Sequence, residues 1–325
     1  TYSPPDASTR LRFSKANQNL YFTTSAGVYK LDAYNGTPVL SGAFKALDLE
    51  LSITNTSATW LANNFRVAYR SVLGYKDAND NLILGAPSQR SSIKNTAGAG
   101  REVTAVNRLP TGVTTDYFVQ LYRSSQVDNS STSTEPSDEL QLVYEIQLDS
   151  TDVSNGYVTV VDIVGDDLRG AVIYTAGTQQ GLAQQNERPP FCKDMTVFKG
   201  FTWFANLEFI HRYTFSIIST TTIVNDDIIT IDGVAYTAKG TELITSGHFF
   251  LDTTGSVSSN IRETAESLVR VINGYASSTQ WAFYVSGPND LPGKILLEDR
   301  TLGTAGFAVT SDATTWTSPA LPSSG

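Results

Sequence analysis

The segment Phe65-Arg66-Val67-Ala68-Tyr69-Arg70-Ser71-Val72 has the period of a β-strand, because Val67 and Tyr69 fall on one side of an extended chain while Arg66 and Arg70 fall on the other. This alternation predicts a strand with one buried face and one solvated face. Similar short runs, rich in Thr, Val, Ile, Tyr and Phe and separated by Gly, Asn, Asp and Ser, recur along the rest of the chain. The sequence therefore predicts a mainly β protein.

Composition excludes several functional classes. The 325 residues carry a net charge of −9, which argues against a protein that wraps nucleic acid, because such binding relies on a surface rich in lysine and arginine. A single cysteine, Cys192, excludes an intrachain disulfide and a Cys-rich zinc site, and the two histidines argue against His-based metal sites. The apolar runs are too short to span a membrane, and 40% hydrophobic residues exclude a wholly disordered chain.

The spacing of the β segments predicts a modular organisation. Residues 46–148 have the length and strand order of an inserted fibronectin type III-like β-sandwich. Residues 1–45 and 149–218 contain meandering strands that are typical of β-propeller blades. Residues 317–325 are typical of a linker, and because the chain begins without Met we expect it to be part of a longer protein. The predicted blade strands are 10–13, 19–23, 27–31, 157–162, 170–174, 194–198, 201–205 and 212–218.

Residues 219–316 predict a second insertion, a small α+β module. Asp232-Gly233 between two β runs is a strong hairpin signal. The spacing of apolar residues predicts one helix over residues 261–272, which Asn260 caps and Asn273-Gly274 ends. The fold class that follows is mainly β, with propeller-like blades interrupted by a sandwich and by this module.

Four segments spread over most of the chain point to one family. They are residues 19–31, residues 69–81 with 84–88, residues 186–190 with 204–206, and residues 286–298. These segments resemble the tail nozzle (tail tubular protein B-like) proteins of short-tailed bacteriophages. The resemblance implies a non-enzymatic structural virion protein. It implies a homo-oligomeric ring, a hexamer, at the distal end of the tail, through whose channel genomic DNA leaves without specific binding.

The same resemblance implies what the protein contacts. The ring is expected to bind tail adaptor or tube proteins and tail fibres, and to assemble in the host cytoplasm before it becomes part of the virion tail. The chain holds too few blades for a closed propeller, so we expect residues outside this sequence to complete them. Acidic side chains that face the channel are expected to repel DNA phosphates.

Two loops share features with ligand-binding motifs. Asp77-Ala78-Asn79-Asp80-Asn81 matches the first half of a calcium loop, but the sixth position lacks Gly and the twelfth lacks Glu, which favours a turn between strands. The segment from Gly287 to Lys294 has the wrong spacing for a phosphate-binding loop, and Ile295 stands where a Ser or Thr is needed.

The remaining chemically capable residues are assigned structural roles. His211 and His248 lie beside aromatic strand residues, and Cys192 is expected to be buried. Adjacent carboxylates are expected to cap turns, and tryptophans to pack in cores. The sequence therefore predicts no catalytic, cofactor-binding or metal-ligating residue. The carboxylate pairs are Asp166-Asp167, Asp226-Asp227 and Glu298-Asp299, and the tryptophans are Trp60, Trp203, Trp281 and Trp316.

Two other classes of function stay open as alternatives. A carbohydrate-binding or carbohydrate-cleaving adhesin on a virion or cell surface also predicts β modules with exposed aromatic residues. A secreted multidomain sandwich protein is disfavoured by the missing signal sequence and disulfides.

Overall fold

A computed structural model shows a mainly β protein, with 46% of residues in strands, 11% in helices and several antiparallel sheets. It describes residues 11–16, 18–56, 58–131, 134–173, 186–287, 290–301, 306–312, 317–318 and 323–324. The prediction of a mainly β chain is confirmed. Within those ranges no closed barrel or propeller is found. The predicted division into blades and insertions therefore stays a prediction.

The chain contacts define two compact units. The first unit comprises Thr1–Ala46, Leu51–Ser88 and Ser92–Phe209, and the second comprises Leu47–Glu50, Gln89–Ser91 and Ile210–Gly325.

The first unit begins with a four-stranded antiparallel meander, in which each strand pairs with the next along the chain. The predicted strand over 10–13 begins at Phe13 instead, and Arg10 lies outside the described residues. Gly27 has a φ of 124°, a value that favours glycine, at the turn between the second and third strands. The strands are β1 (Phe13–Ala16), β2 (Asn19–Thr24), β3 (Gly27–Leu31) and β4 (Val39–Leu40).

Two antiparallel sheets, which belong to the first unit except for the first residues of β5 and β8, are called here the two-sheet region. One sheet centres on β6 and β10, which pair along seven residues, and the other has the order β13-β9-β5. The strand β13, which the sequence placed among blade strands, thus pairs with a strand of the predicted sandwich. The strands are β5 (Leu49–Thr54), β6 (Phe65–Lys76), β7 (Leu82–Leu84), β8 (Ser91–Lys94), β9 (Glu102–Arg108), β10 (Tyr117–Arg123), β11 (Val127–Asp128), β12 (Gln141–Gln147) and β13 (Tyr157–Asp162).

A short helix, α1 (Ser150–Asn155), directly precedes β13, and the sequence did not predict it. Asp149 caps it by accepting hydrogen bonds from the backbone N–H groups of Thr151 and Asp152. Gly156 ends it in the left-handed conformation. At six residues the helix is too short for its apolar spacing to stand out in the sequence.

The prediction that β6 has one solvated face is wrong. Arg66 and Ala68 are as buried as Val67 and Tyr69 on the opposite face. The predicted wet face is covered because Val72 packs in a cluster with Leu140 and Ile173. The segment around Ile173, predicted as a strand over 170–174, forms an isolated bridge between Val172 and Gln141, and Tyr174 lies outside the described residues.

A two-stranded hairpin closes the first unit, formed by β14 (Phe191–Phe198) and β15 (Phe201–Glu208). Its turn, Lys199-Gly200, has φ values of 53° and 81°, the pair of left-handed conformations that a tight two-residue hairpin needs. We call this element the aromatic hairpin.

The second unit contains two further sheets and one long helix. The Asp232-Gly233 hairpin is confirmed. The predicted blade strand over 212–218 pairs instead with a strand of the α+β module, 294–299. The elements are β16 (Arg212–Ile217), β17 (Ile228–Ile231), β18 (Val234–Lys239), β19 (His248–Phe250), α2 (Val257–Gly274), β20 (Gln280–Tyr284), β21 (Lys294–Asp299), β22 (Ala308–Ser311), β23 (Thr317–Ser318) and β24 (Ser323–Ser324).

Helix α2 is longer than predicted and starts at a different cap. Ser256 accepts the backbone N–H of Ser259, while Asn260 is buried inside the helix and accepts the N–H of Gly255. The predicted cap at Asn260 is therefore wrong by one turn, and the helix continues two residues past the predicted last residue, Ile272, to Gly274. Its apolar face, which includes Leu268, packs in the core of the second unit. Neither α-helix in the described ranges is long and apolar enough to cross a membrane.

Candidate interaction surface

In the loop after β6 that matches half of a calcium site, backbone N–H groups and a lysine of the protein bind the carboxylate of Asp77. Asp77 Oδ1 accepts hydrogen bonds from the backbone N–H groups of Asn79 and Asn81, each at 2.9 Å. The Lys30 ammonium lies 3.2 Å from Asp77 Oδ2 and 3.4 Å from Asp32 Oδ2. The loop therefore forms a turn around Asp77, and a lysine provides the cation.

Charge and hydrogen bonds stabilise this arrangement. Burial alone would raise the pKa of Asp77, but hydrogen bonds from Asn81, Lys30 and Asn79 outweigh it and lower the pKa to about 2. Burial alone would lower the pKa of Lys30, but the hydrogen bond to Asp77 and nearby negative charge raise it. Within the described ranges, no group of three or more His, Cys, Asp or Glu side chains could hold a metal ion.

The loop from Gly287 to Lys294 is likewise occupied by internal hydrogen bonds. Asp290 Oδ2 accepts the backbone N–H of Gly287 at 2.9 Å, and Ser286 Oγ accepts the N–H of Lys294 at 3.0 Å. A carboxylate on the Gly287 N–H disfavours a phosphate there. Residues 288 and 289 lie outside the described ranges.

The cysteine and the two histidines lie in separate places in the chain's structure and form no common site. Cys192 is buried beside Val28 and Met195, and burial raises the pKa of its thiol, as expected for an unreactive cysteine. His248 lies in β19, and His211 accepts the N–H of Asp299 through its backbone carbonyl.

The carboxylate pairs and two of the tryptophans, Trp60 and Trp281, take part in structural contacts. Asp226 pairs with Lys239, and Glu298 pairs with Arg212 at 3.0 Å. The Arg300 guanidinium lies 3.7 Å from the centre of the Trp281 ring. Trp316 lies outside the described residues.

A buried polar cluster joins the two sheets of the two-sheet region. Asp162 of β13 lies 2.7 Å from Arg123 of β10, and both side chains are fully buried. The same Asp162 oxygen accepts the Tyr69 hydroxyl at 2.8 Å. Asp166 contacts a second Arg123 nitrogen at 3.1 Å, and the Trp60 ring stacks 3.6 Å from the guanidinium. We call these five residues the Asp162 cluster.

The Asp162 cluster has a structural role because solvent does not reach its centre. Burial, and then the charge of Asp162, raise the pKa of Tyr69 well above its usual value, so the hydroxyl stays protonated and donates. Tyr69 and Arg123 belong to one sheet and Asp162 to the other. The cluster thus links the two sheets through buried polar contacts.

The aromatic hairpin is the feature that the sequence analysis missed. Phe198, Phe201 and Trp203 are 59%, 70% and 58% exposed, although large aromatic side chains normally lie in cores. Phe198 pairs with Phe201, and Trp203 lies two residues further along β15, so the three rings share one face of the hairpin. The expectation that Trp203 packs in a core is therefore wrong.

The hairpin is held to the meander mainly by β14. Its buried residues Cys192 and Met195 pack against Val28 of the meander. Phe204 of β15 packs against the same cluster. In the part of the chain that the structure describes, β15 pairs with β14 and with no other strand. The backbone N–H and C=O groups on its far edge are thus available for a further strand.

This combination of an apolar face and an open strand edge is suited to binding rather than to chemistry. Exposed apolar patches rimmed by polar residues mark interaction surfaces on soluble proteins. The sequence signal was the spacing of Phe198, Phe201 and Trp203 around Lys199-Gly200, which puts three large rings on one side of a tight hairpin.

No family model matches this sequence, and no match emerges among curated proteins or among solved structures. The surface is therefore interpreted from its own geometry.

Proposed function

We propose that the chain is a structural subunit of a short-tailed bacteriophage tail, where it forms the nozzle ring that surrounds the DNA exit channel at the distal end. The observation that supports this most is the aromatic hairpin. A two-stranded ribbon with an exposed aromatic face is marginal by itself and is stabilised by further strands. A protein that exists to join copies of itself and other tail components has a use for such a surface.

The fold assignments within this proposal follow the sequence analysis. The meander β1–β4 has the strand order of one propeller blade, and the aromatic hairpin is an incomplete second blade. Residues 46–148, which hold all of the two-sheet region except β13, are an inserted fibronectin type III-like sandwich, and residues 219–316 are the second insertion. The insertions contact neighbouring subunits, tail adaptor or tube proteins and tail fibres.

The ion pairs formed by several carboxylates support a structural rather than a catalytic role. Asp77 binds Lys30, and Asp162 binds Arg123. Glu242 binds Arg270 at 2.7 Å. These carboxylates are each paired with a cation, whereas a general acid or base needs a side chain that reaches a substrate.

The net charge of −9 fits a channel through which DNA slides. Acidic walls repel phosphates and so prevent the counterion release that drives tight DNA binding. In this proposal the ring is a homo-oligomer, a hexamer as the family resemblance implies, located in the virion tail after assembly in the host cytoplasm.

Sedimentation velocity combined with duplex DNA binding tests the proposal. We expect a homo-oligomer several times the mass of the chain, with no DNA binding even at low salt, where electrostatic binding is strongest. A monomer at all concentrations, or tight DNA binding at low salt, contradicts it.

A carbohydrate-binding adhesin is the second candidate, and the exposure of Trp203 favours it. An exposed indole ring can stack on a sugar, and Phe201 extends the same face. Binding on a glycan array that Trp203→Ala abolishes, or digestion of a polysaccharide, supports the adhesin and contradicts the nozzle.

A further inference from the structure

Two strand edges of the first unit are exposed and uncharged. In the described part of the chain, β15 pairs only with β14, and β13 pairs only with β9, so each strand has one edge without a neighbour. Natural proteins protect such edges with lysine, proline, bulges or covering segments, because a bare edge recruits other strands. Between its first and last residues, neither β13 nor β15 contains a charged residue or a proline, although Asn206, with a φ of 52°, interrupts β15 after Ala205.

The side chains along both edges are apolar and reach solvent. On β15 they are Phe201 and Trp203. On β13 the outward residues include Tyr157 and Val161, each 36% exposed, whereas the inward Val158 and Val160 are buried. Each strand thus offers hydrogen-bonding groups along its edge and apolar contacts beside it, the two components of binding by strand addition.

We infer that β15 of one copy pairs with β13 of a neighbouring copy, so that subunits join head to tail by strand addition. This inference rests on the proposed function, since it names the contact through which copies of the ring subunit associate.

The dimensions of the two edges match. β13 has six residues and the regular part of β15, from Phe201 to Ala205, has five, so the pairing extends about 17 Å. The exposed rings of Phe201 and Trp203 on β15 supply about 250 Å² of apolar surface beside the edge, given that large aromatic side chains bury about 150–250 Å² each. A stable interface buries about 800 Å² per partner, and the strand backbones and flanking residues supply the remainder.

The use of two different edges explains a ring. A contact of β15 with β15 is two-fold symmetric and stops at a dimer, whereas a contact between two different surfaces repeats until the rotation closes. Both edges belong to the same compact unit, so each copy carries one of each in a fixed arrangement.

Mixing two edge variants of the full chain tests this contact. Trp203→Lys places a charge on β15, and Val161→Lys places one on β13, and both side chains are solvent-exposed. Each variant alone is expected to sediment as a monomer, with the junction weakened by at least about 30-fold, as for an interface hot spot. Their equimolar mixture is expected to form heterodimers and nothing larger, because the mixture retains one intact β15 and one intact β13.

Controls separate loss of the contact from loss of folding. Tyr34→Lys changes a ring that is 96% exposed outside both strands and is expected to assemble as the wild type does. Circular dichroism and the thermal midpoint of each edge variant are expected to match the wild type, and Phe201→Lys repeats the β15 test at a second position.

The outcomes distinguish this inference from the proposed function. If both variants form rings as the wild type does, the inferred contact is overturned, but the proposed ring function still stands. Assembly of Val161→Lys alone into dimers assigns the contact to β15 with β15 and also overturns it. Unchanged assembly with loss of vesicle binding in Trp203→Lys reassigns the aromatic face to a lipid bilayer. A monomeric wild type removes the proposed function itself.

Discussion

Replacing Asp162 with Asn tests whether the Asp162 cluster holds the two sheets together. In the wild type, Asp162 Oδ2 accepts from Arg123 and from the Tyr69 hydroxyl, and Oδ1 accepts the backbone N–H of Val164. Asn has one oxygen and one NH2 group, so it either keeps the Val164 contact and presents N–H donors to Arg123, or turns its neutral oxygen to Arg123 and loses the Val164 contact. The guanidinium then loses the carboxylate that neutralises it in a fully buried site.

The size of the effect follows from this geometry. Removing one partner of a buried ion pair costs about 3–5 kcal/mol, because the other charge stays buried. Asp166 still lies 3.1 Å from Arg123 and is partly solvated, so we expect a loss near the lower end, about 3 kcal/mol. At a typical slope of about 2 kcal/mol per molar urea, the unfolding midpoint of the first unit falls by about 1.5 M.

Urea titration followed by tryptophan fluorescence measures this loss, since Trp60 stacks on the Arg123 guanidinium and reports on the cluster. Asp167→Asn is the matched control, because this exposed carboxylate adjoins Asp166 in sequence and its neutralisation is expected to leave the midpoint in place. A loss below about 1 kcal/mol in Asp162→Asn, no larger than that of an ordinary surface change, refutes the assignment of the cluster as the link between the sheets.

Three further predictions concern other parts of the molecule. The pKa of Asp77 is lowered to about 2 from its usual 3.8, so its contribution to the free energy of unfolding is present above pH 4 and is lost as the pH falls through 2. Asp77→Asn is expected to make the free energy of unfolding, measured by urea titration at each pH, depend less on pH in this range. An unchanged pH dependence contradicts the prediction. Gly293→Ala is expected to lower the thermal midpoint strongly, because Gly293 has a φ of 100° and a Cβ at this position would lie 2.1 Å from the Ile217 carbonyl oxygen. Gly240→Ala is the control, because a Cβ there meets no atom within 4 Å. Equal thermal midpoints of the two variants refute the reasoning. Millimolar calcium is expected to leave the thermal midpoint unchanged, because Asp77 is already bound by Lys30 and by backbone N–H groups. A calcium-dependent rise in the midpoint that is absent in Asp77→Asn contradicts this prediction.

Local turn chemistry made much of the secondary structure predictable. The Asp232-Gly233 hairpin follows from two residues that favour left-handed conformations, and it is confirmed. The end of α2 lies two residues beyond the prediction, because Asn273 and Gly274 are themselves helical. The cap of α2 was misplaced because Ser256 and Asn260 are both good caps, and the residues between them tolerate a helix.

Sheet membership was less predictable because it depends on contacts between distant residues. β13 and β16 have ordinary strand patterns, and nothing local shows that one pairs with β9 and the other with β21. The solvated face expected for β6 failed for the same reason, since Leu140 and Ile173 cover it from far along the chain.

The Asp162 cluster and the aromatic hairpin show the same limit for candidate sites. Arg123 and Asp162 are 39 residues apart and meet only through the registers of two sheets. Trp203 lies in a strand, where packing in a core is common, and its exposure depends on β15 having no neighbour on its far edge within the described residues.

Electron microscopy of the assembled protein tests the central claim most directly, because particle images give symmetry and an axial opening together. We expect a closed ring of identical copies around a channel wide enough for duplex DNA. Solitary particles of single-chain mass at every concentration contradict the account of this chain as the wall of a conduit.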